Sequence, residues 1–378
     1  MMKKITGILS ALVLALALLP TTVFAAEDVA KIGDNGYETL AKAVEAAKDG
    51  DTVVLQKDVT IGGYQKILKA ITVDLGGNKL TSTDGGFDVY ADLTVKNGRM
   101  ETVTWAAWVQ GGADLVIEKD VSIMTTSTEG KRGGIAVQNE GSSVTVFGKV
   151  EAAGGAAVSG IGNKDDGGVI INIEEGAVIT CTNENGLGIY YPNTTELNIK
   201  GGTITGATGV YVKSGKTTVT GGTIIGTGVK ADYKYYGNGG NATGDAFVVD
   251  TCGYPGGDPV VEIKGGTFKS ENAAAVGSYF GNTAEKALAG FITGGSFSSD
   301  PTKYAAADYK VTTENGVFTV SKNVPNNNDN TPSTPSTPET FDAGIAAYGV
   351  SAVLSVTGMA WMGLKKKSTT YTGKHIEK

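Results

Sequence analysis

The sequence has few of the residues on which most metal and hydrolytic sites depend. Histidine occurs once in 378 residues, at His375, and arginine occurs only at Arg99 and Arg132. A single histidine near the C-terminus excludes histidine-based zinc sites and Ser-His or Cys-His triads from the body of the chain. The two cysteines, Cys181 and Cys252, are too few for a disulfide framework, and we expect both to be unpaired small residues.

Positive charge is scarce where a nucleic acid would need it. The chain carries 32 Lys and Arg against 39 Asp and Glu, a formal net charge of −7, and all of the acidic residues except Asp342 and Glu377 lie between the two ends. An acidic body repels the phosphate backbone, so the composition excludes nucleic acid as a partner. Aromatic residues make up 7%, whereas there are 56 glycines, which is typical of short strands joined by tight turns.

A repeated phrase is the strongest pattern in the chain. Residues 197–228 contain it twice, twenty positions apart, as LNIKGGTI and TTVTGGTI. The alternation of apolar and polar residues predicts a strand with one buried face. The glycine pair predicts a sharp bend at which φ is positive. Related phrases recur from residue 71 to residue 297, most of them about 20 to 29 residues apart.

A second short strand is predicted upstream of several phrases, at residues 107–109, 135–137, 189–191, 210–212 and 247–249. Each period then holds two or three strands and no crossover helix, so neighbouring coils must stack to bury their apolar faces. The pattern resembles the parallel β-helix family, the architecture of pectate lyases and of many bacterial surface proteins. We predict an all-β fold, a single right-handed parallel β-helix of about nine coils over residues 51–300, with the handedness expected from the general rule for parallel crossovers.

Both ends of this solenoid are expected to be covered. Residues 26–50 contain an amphipathic stripe that predicts an N-terminal capping helix, with Leu40, Ala43, Val44 and Ala47 on one side. Residues 301–323 contain two alternating segments around Asn315-Gly316, which predict a capping hairpin with a type I′ turn. The Tyr-, Gly- and Asn-rich residues 233–244 are expected to be a loop inserted in one coil.

The two termini predict an extracellular location. Residues 1–25 have the charged, apolar and small-residue order of a signal peptide. Residues 324–340 form a linker rich in Pro, Thr and Asn, and residues 341–378 form an anchor with a basic tail. The uncharged residues 343–364 are long enough to span a membrane, and the lysines after them are expected to stay on the cytoplasmic side.

The C-terminal order of linker, short polar motif, apolar span and basic tail resembles the cell-wall sorting signals of Gram-positive surface proteins. The Leu-Pro-x-Thr-Gly motif of those signals is matched here only at Pro338 and Thr340. Thr337 stands where the motif has Leu, and Phe341 stands where it has Gly. The resemblance implies sortase and peptidoglycan as partners, and a permanent membrane anchor is the alternative.

The resemblance to pectate lyases makes catalysis a hypothesis to test. The pectin hydrolases of the same fold use paired aspartates with a histidine and an Arg-x-Lys motif, which this sequence lacks. A lyase instead needs carboxylates for Ca²⁺ and a base that removes the proton next to a uronic carboxylate. Asp165 and Asp166 are the candidate Ca²⁺ ligands, and Arg132 or Lys164 is the candidate base.

Aromatic residues support a different hypothesis, recognition of a glycan or a protein. In a stack, equivalent positions lie above one another, so aromatic residues of the same strand type could form a ladder for sugar rings. The candidate ligand-binding residues are Trp105, Trp108, Tyr190 and Tyr191, together with Tyr233, Tyr235 and Tyr236 of the inserted loop. Tyr211, Tyr254 and Tyr279 recur near the same strand type. Strand alternation predicts that Trp108 and one of the adjacent Tyr190 and Tyr191 face outward.

The sequence therefore predicts a non-catalytic protein on the outer face of the cell, without a cofactor, that binds an extracellular glycan or a host or matrix protein. The alternative is an anchored polysaccharide lyase that acts on acidic glycans with Ca²⁺.

Overall fold

The computed structural model describes residues 28–162, 168–229, 234–235, 240–241, 243–280, 286 and 288–324. Across these residues, nine successive coils each contribute one strand to each of three long sheets, here named A, B and C. Within the coils every pairing between neighbouring strands of a sheet is parallel, as in Ile199 beside Val219 and Val219 beside Ile263 in sheet A. The predicted parallel β-helix is confirmed.

Sheet A contains the strands Ala30–Ile32, Asn35–Tyr37, Thr52–Leu55, Ile71–Asp74, Leu93–Lys96, Asp114–Ile117, Ser143–Val146, Ile170–Ile173, Glu196–Ile199, Lys216–Val219 and Val260–Ile263. Sheet B contains Val59–Ile61, Lys79–Ser82, Gly98–Thr102, Val121–Thr125, Lys149–Ala152, Val178–Cys181, Thr203–Gly206, Thr223–Gly226, Thr267–Ser270, Gly295–Phe297, Tyr309–Glu314 and Val317–Lys322. Sheet C contains Gln65–Ile67, Phe87–Val89, Ala107–Val109, Gly133–Val137, Ala156–Gly160, Leu187–Tyr191, Thr208–Val212, Phe247–Asp250 and Val276–Tyr279.

The repeated phrase forms one strand of sheet A and the following strand of sheet B. In the first copy, Leu197 and Ile199 are fully buried in sheet A and Ile204 is fully buried in sheet B, while Asn198 and Thr203, which alternate with them, are partly exposed. Stacking places these apolar side chains above those of the next coil, so a continuous hydrophobic core runs through the solenoid. At about 25 cal/mol per Å² of apolar area, this buried column is the main stabilising contribution.

The two glycines of the phrase are needed for different reasons. The second glycine of the pair has positive φ, +77° at Gly202 and +85° at Gly222, where L-residues are strained. The first glycine is needed for space, because a Cβ on Gly221 would lie 2.5 Å from the carbonyl oxygen of Lys200 in the preceding coil. Replacement of either glycine at the corner between sheets A and B by a residue with a side chain would therefore require the backbone to shift.

The N-terminal helix is shorter than the predicted stripe and follows two strands that the sequence analysis did not predict. The helix spans Leu40–Ala46, and Thr39 caps it by accepting a hydrogen bond from the Lys42 amide. Its apolar side, including Leu40 and Ala43, belongs to the same core as the coils. Before it, Ala30–Ile32 and Asn35–Tyr37 pair antiparallel at the start of sheet A.

The C-terminal hairpin has the predicted turn. Tyr309–Glu314 and Val317–Lys322 pair antiparallel around Asn315 and Gly316, whose φ values are +49° and +78°. Val317–Lys322 also pairs antiparallel with Gly295–Phe297, the last parallel strand of sheet B.

The inserted loop lies where it was predicted, between the sheet B strand Thr223–Gly226 and the sheet C strand Phe247–Asp250. It contains two short strands, Lys234–Tyr235 and Gly240–Asn241, which pair antiparallel. In the described part of the chain no helix is long and apolar enough to cross a membrane. The predicted signal peptide, the predicted membrane span and the sorting motif at Pro338 and Thr340 lie outside the described residues.

Candidate functional site

Two of the predicted ligand-binding residues, Trp108 and Tyr190, lie on the outer face of sheet C. Parallel pairing aligns one outward residue of each coil in a column, which runs in order through Lys66, Asp88, Trp108, Ala136, Ser159, Tyr190, Tyr211 and Val248. The residues on either side of Trp108, Ala107 and Val109, are buried in the core. Alternation therefore directs this column, here called the outer column, away from the core.

The first four coils present a partly exposed surface. We call it the open face, and it consists of Lys66, Leu68, Asp88, Tyr90, Trp108, Gln110 and Gln138. The Gln110 side-chain amide donates to Asp88 Oδ1 at 2.6 Å, and the Gln138 amide donates to Gln110 Oε1 at 3.1 Å. These bonds join one polar side chain in each of three successive coils, so the acceptors and donors of the open face are held in fixed positions.

Apolar and aromatic side chains lie beside this polar ladder. Leu68 is 66% exposed and Tyr90 is 41% exposed, and the Lys66 ammonium lies 5.9 Å from the centroid of the Tyr90 ring. Trp108 faces outward, as strand alternation predicted, and it is half-buried. A partly exposed indole can stack on a flat ring, and the carboxylate and amide groups beside it can form hydrogen bonds with the substituents of that ring.

Trp105 does not belong to the exposed part of this surface. It is 1% exposed, and its ring lies edge to face with Trp108 at a centroid distance of 5.7 Å. The prediction that Trp105 contacts a ligand directly is wrong, because the strand of the next coil packs over its ring at Gly133. Trp105 instead supports the orientation of Trp108.

The prediction that Tyr190 or Tyr191 faces solvent is also wrong, since Tyr190 is 1% exposed and Tyr191 is fully buried. Tyr191 points into the core, and its hydroxyl donates to the Val169 carbonyl oxygen at 2.8 Å. Tyr190 points outward but is covered, and its ring lies tilted against that of Tyr211 in the next coil, at a centroid distance of 6.2 Å. The part of the predicted aromatic ladder that Tyr190 and Tyr211 form is therefore buried.

Around this pair lies a second group, here called the covered cluster, which consists of Tyr190, Tyr211, Lys213, Asp250, Cys252 and Tyr254. The Tyr211 hydroxyl donates to Asp250 Oδ2 at 2.9 Å. Lys213 is 1% exposed, and its ammonium lies 4.6 Å from the centroid of the Tyr254 ring. Because Val212 pairs with Val249, Lys213 and Asp250 are adjacent on neighbouring strands.

Burial alters the acid–base properties of the covered cluster. Asp250 is fully buried, and this raises its pKa from 3.8 to about 6, although the Tyr211 hydrogen bond and the Lys213 charge oppose the shift. Burial and the nearby Asp250 carboxylate raise the pKa of the Cys252 thiol. Burial also raises the pKa of Tyr190 well above its ordinary value, with smaller contributions from Tyr254, Asp250 and Cys252. Cys181 and Cys252 are both free cysteines, as predicted.

A long connection passes over the side of the solenoid next to this cluster. Residues 251–259, here called the strap, join the sheet C strand Phe247–Asp250 to the sheet A strand Val260–Ile263. The Tyr254 hydroxyl donates to the carbonyl oxygen of Gly162, and Gly256 packs so closely on Ser214 and Thr194 that a Cβ would not fit. These contacts are made to three earlier coil corners, so the strap runs back along the solenoid.

Of the candidate lyase residues, Arg132 alone lies in the described part of the chain. Arg132 is a partly exposed residue whose guanidinium lies 3.6 Å from a Glu129 carboxylate oxygen. Lys164, Asp165 and Asp166 lie outside the described residues, as do Tyr233 and Tyr236, and nothing is described of the Tyr235 side chain. Among the residues that the structure describes, no three His, Cys, Asp or Glu side chains are grouped as they would be around a metal ion.

Sequence reasoning missed Gln110 and Gln138 of the open face and Lys213 and Asp250 of the covered cluster. Gln110 and Gln138 follow directly after the sheet C strands Ala107–Val109 and Gly133–Val137, so their shared position in the repeat was a usable signal. Lys213 and Asp250 likewise occupy equivalent positions in neighbouring coils. Their burial depends on the strap, which no local pattern indicates.

Comparison of the chain with known protein families, with curated proteins and with solved structures gave no match.

Proposed function

We propose that this protein is a recognition protein of the outer cell surface that binds a glycan through the open face of sheet C. The observation that carries the proposal is the hydrogen-bonded ladder of Asp88, Gln110 and Gln138 beside the half-buried Trp108 and the exposed Tyr90. Aromatic rings supply apolar contact area at a low cost in conformational entropy, and planar amide and carboxylate groups match the hydroxyls of a sugar. The spacing of coils, about 4.8 Å, gives this surface a regular repeat along the solenoid.

The proposed location rests on the sequence. A signal peptide at residues 1–25 would export the chain, and residues 341–378 would hold it in the membrane or, after sorting at Pro338 and Thr340, in the cell wall. Residues 324–340 would then separate the solenoid from the anchor. A host or matrix protein is the other class of ligand, but the polar ladder favours a glycan.

The proposal is tested by replacing the aromatic residues of the open face. A glycan array probed with the full chain identifies the ligand, and the Tyr90→Ala/Trp108→Ala double variant is expected to lose binding by about tenfold or more, because most of the aromatic contact area is removed. Phe147→Ala is the matched control, since Phe147 is a half-buried aromatic residue that follows the sheet A strand Ser143–Val146. Equal binding by the double variant and the control would refute the proposal.

The same preparation tests the alternative activity. A polysaccharide lyase would release unsaturated uronates from a polyuronate in the presence of Ca²⁺, which is seen as a gain in ultraviolet absorbance. Arg132→Ala and the Asp165→Ala/Asp166→Ala variant would lose that activity. Release of unsaturated uronates by the full chain, lost in these variants, would replace the recognition proposal with the lyase.

A further inference from the structure

The covered cluster holds a carboxylate and an ammonium group on the outside of sheet C, where a solenoid normally exposes charge to water. Asp250 and Lys213 have relative exposures of 0% and 1%. Both groups contact residues of the strap or lie next to it, since Asp250 directly precedes it and Lys213 lies over the Tyr254 ring. The strap therefore keeps this charge pair out of water.

The negative charge of Asp250 disfavours the closed position of the strap, because the strap keeps the carboxylate out of water. The groups that face the carboxylate are Tyr211, Lys213 and Tyr190 from the two preceding coils and Cys252 and Tyr254 from the strap, and Tyr279 of the following coil is its strand partner. Of these, Lys213 carries the one positive charge, and it does not compensate fully for the lost hydration, because the pKa of Asp250 remains raised to about 6. Displacement of the strap would return the carboxylate to water.

By linkage, the closed strap binds a proton at Asp250 more tightly than the displaced strap does, so acid favours the closed state and neutral pH favours displacement. The free energy of strap displacement changes with pH between the ordinary pKa of an aspartate, 3.8, and the pKa of about 6 that Asp250 has in the closed state.

We propose that residues 251–259 form a pH-sensitive strap, fastened when Asp250 is neutral and loosened when Asp250 is charged, and that its loosening uncovers the Tyr190–Tyr211 pair. These two rings lie in the same outer column as Trp108. Their exposure would add aromatic area to the surface proposed above for glycan recognition, and this last consequence rests on the proposed function.

Amide hydrogen exchange on the full chain measures the opening of the strap. We follow the Thr251 amide, which donates to the Tyr279 carbonyl oxygen at 2.7 Å, and correct for the intrinsic effect of pH. Between about pH 5 and about pH 7.5, protection of the strap should fall about tenfold, and radical oxidation of Tyr190 and Tyr211 should rise in parallel.

Three variants separate this mechanism from a general effect of pH. Asp250→Asn cannot ionise and should keep the strap protected at both pH values, whereas Lys213→Met removes the compensating cation and should make the loss of protection larger and extend it to a higher pH. Asp258→Asn is the matched control, because Asp258 is an exposed strap carboxylate paired with Lys286, and it should behave like the wild type.

Equal strap protection in the wild type at both pH values would overturn the proposal, and so would a pH response in Asp250→Asn equal to that of the wild type. These readouts need no glycan. A strap that responds while the glycan array stays blank therefore refutes glycan recognition and leaves the strap standing.

Discussion

Replacement of Asp250 by asparagine should stabilise the protein at neutral pH. The side chain keeps its size, and an amide oxygen can still accept the hydrogen bond that Tyr211 donates at 2.9 Å. The raised pKa of Asp250, about 6 instead of 3.8, means that the folded protein holds this carboxylate in its charged form at a cost. The cost at pH 7 is about 3 kcal/mol, because each pKa unit corresponds to about 1.4 kcal/mol.

The raised pKa of Asp250 also determines how the stability depends on pH. A folded pKa above the unfolded value contributes stability that is present at low pH and lost as the pH rises through about 6. The advantage of Asp250→Asn should therefore be about 3 kcal/mol at pH 7, about 1.5 kcal/mol at pH 5 and less than about 1 kcal/mol at pH 4.

Urea denaturation of the wild type and the variant at several pH values measures this difference. Taking the difference at each pH cancels the contributions of all other titrating groups. An advantage that does not change between pH 4 and pH 7 would refute the reasoning, because a packing effect of asparagine does not depend on the ionisation of residue 250. A variant less stable than the wild type at pH 7 would show that Lys213 needs its counter-charge more than the carboxylate needs water.

Two further substitutions test the scaffold by chemical denaturation. Gly222→Ala should lower the free energy of unfolding by about 2 to 4 kcal/mol, since it combines a positive φ with a Cβ 2.6 Å from the Gly201 carbonyl oxygen. Gly176→Ala has nearly the same φ and open space around it, so it should cost only about 1 to 2 kcal/mol, and equal costs would contradict this account. Phe268→Ala should cost about 3 to 5 kcal/mol, because Phe268 is fully buried and stacks on Phe297 at 4.9 Å; a loss below about 1 kcal/mol would contradict the packing.

The fold could be predicted because the same pattern of strand, corner and strand occurs in many successive repeats. The phrase around Gly201-Gly202 contains a sheet A strand, a corner and a sheet B strand, and its alternation identifies the buried side of each. The two N-terminal strands Ala30–Ile32 and Asn35–Tyr37 were missed because each has only three residues and belongs to no repeat. Their pairing depends on the first coil, which supplies Thr52–Leu55 as a neighbour.

The candidate site could be predicted only in part. Alternation correctly predicted that Trp108 faces outward. A rule about neighbouring residues is sufficient here, because Trp108 belongs to the open face of sheet C. The same rule failed for Tyr190, whose outward ring is buried by structure that lies far away in sequence, as the contact of Tyr254 with Gly162 shows. Alternation also does not predict that Lys213 lies beside Asp250, because the inserted loop separates their strands in the sequence.

The in-register columns have a consequence for how such a molecule can change in length. Each strand of a coil pairs only with the coil before it and the coil after it, so a whole coil can be duplicated or removed while the parallel pairing of the strands is kept. Each such event changes the length of the solenoid by about 4.8 Å and leaves its cross-section unaltered. Loss of a single residue within a strand would instead turn every following side chain of that strand from core to solvent. Natural variants of this protein that differ in the length of the solenoid should therefore differ by whole coils.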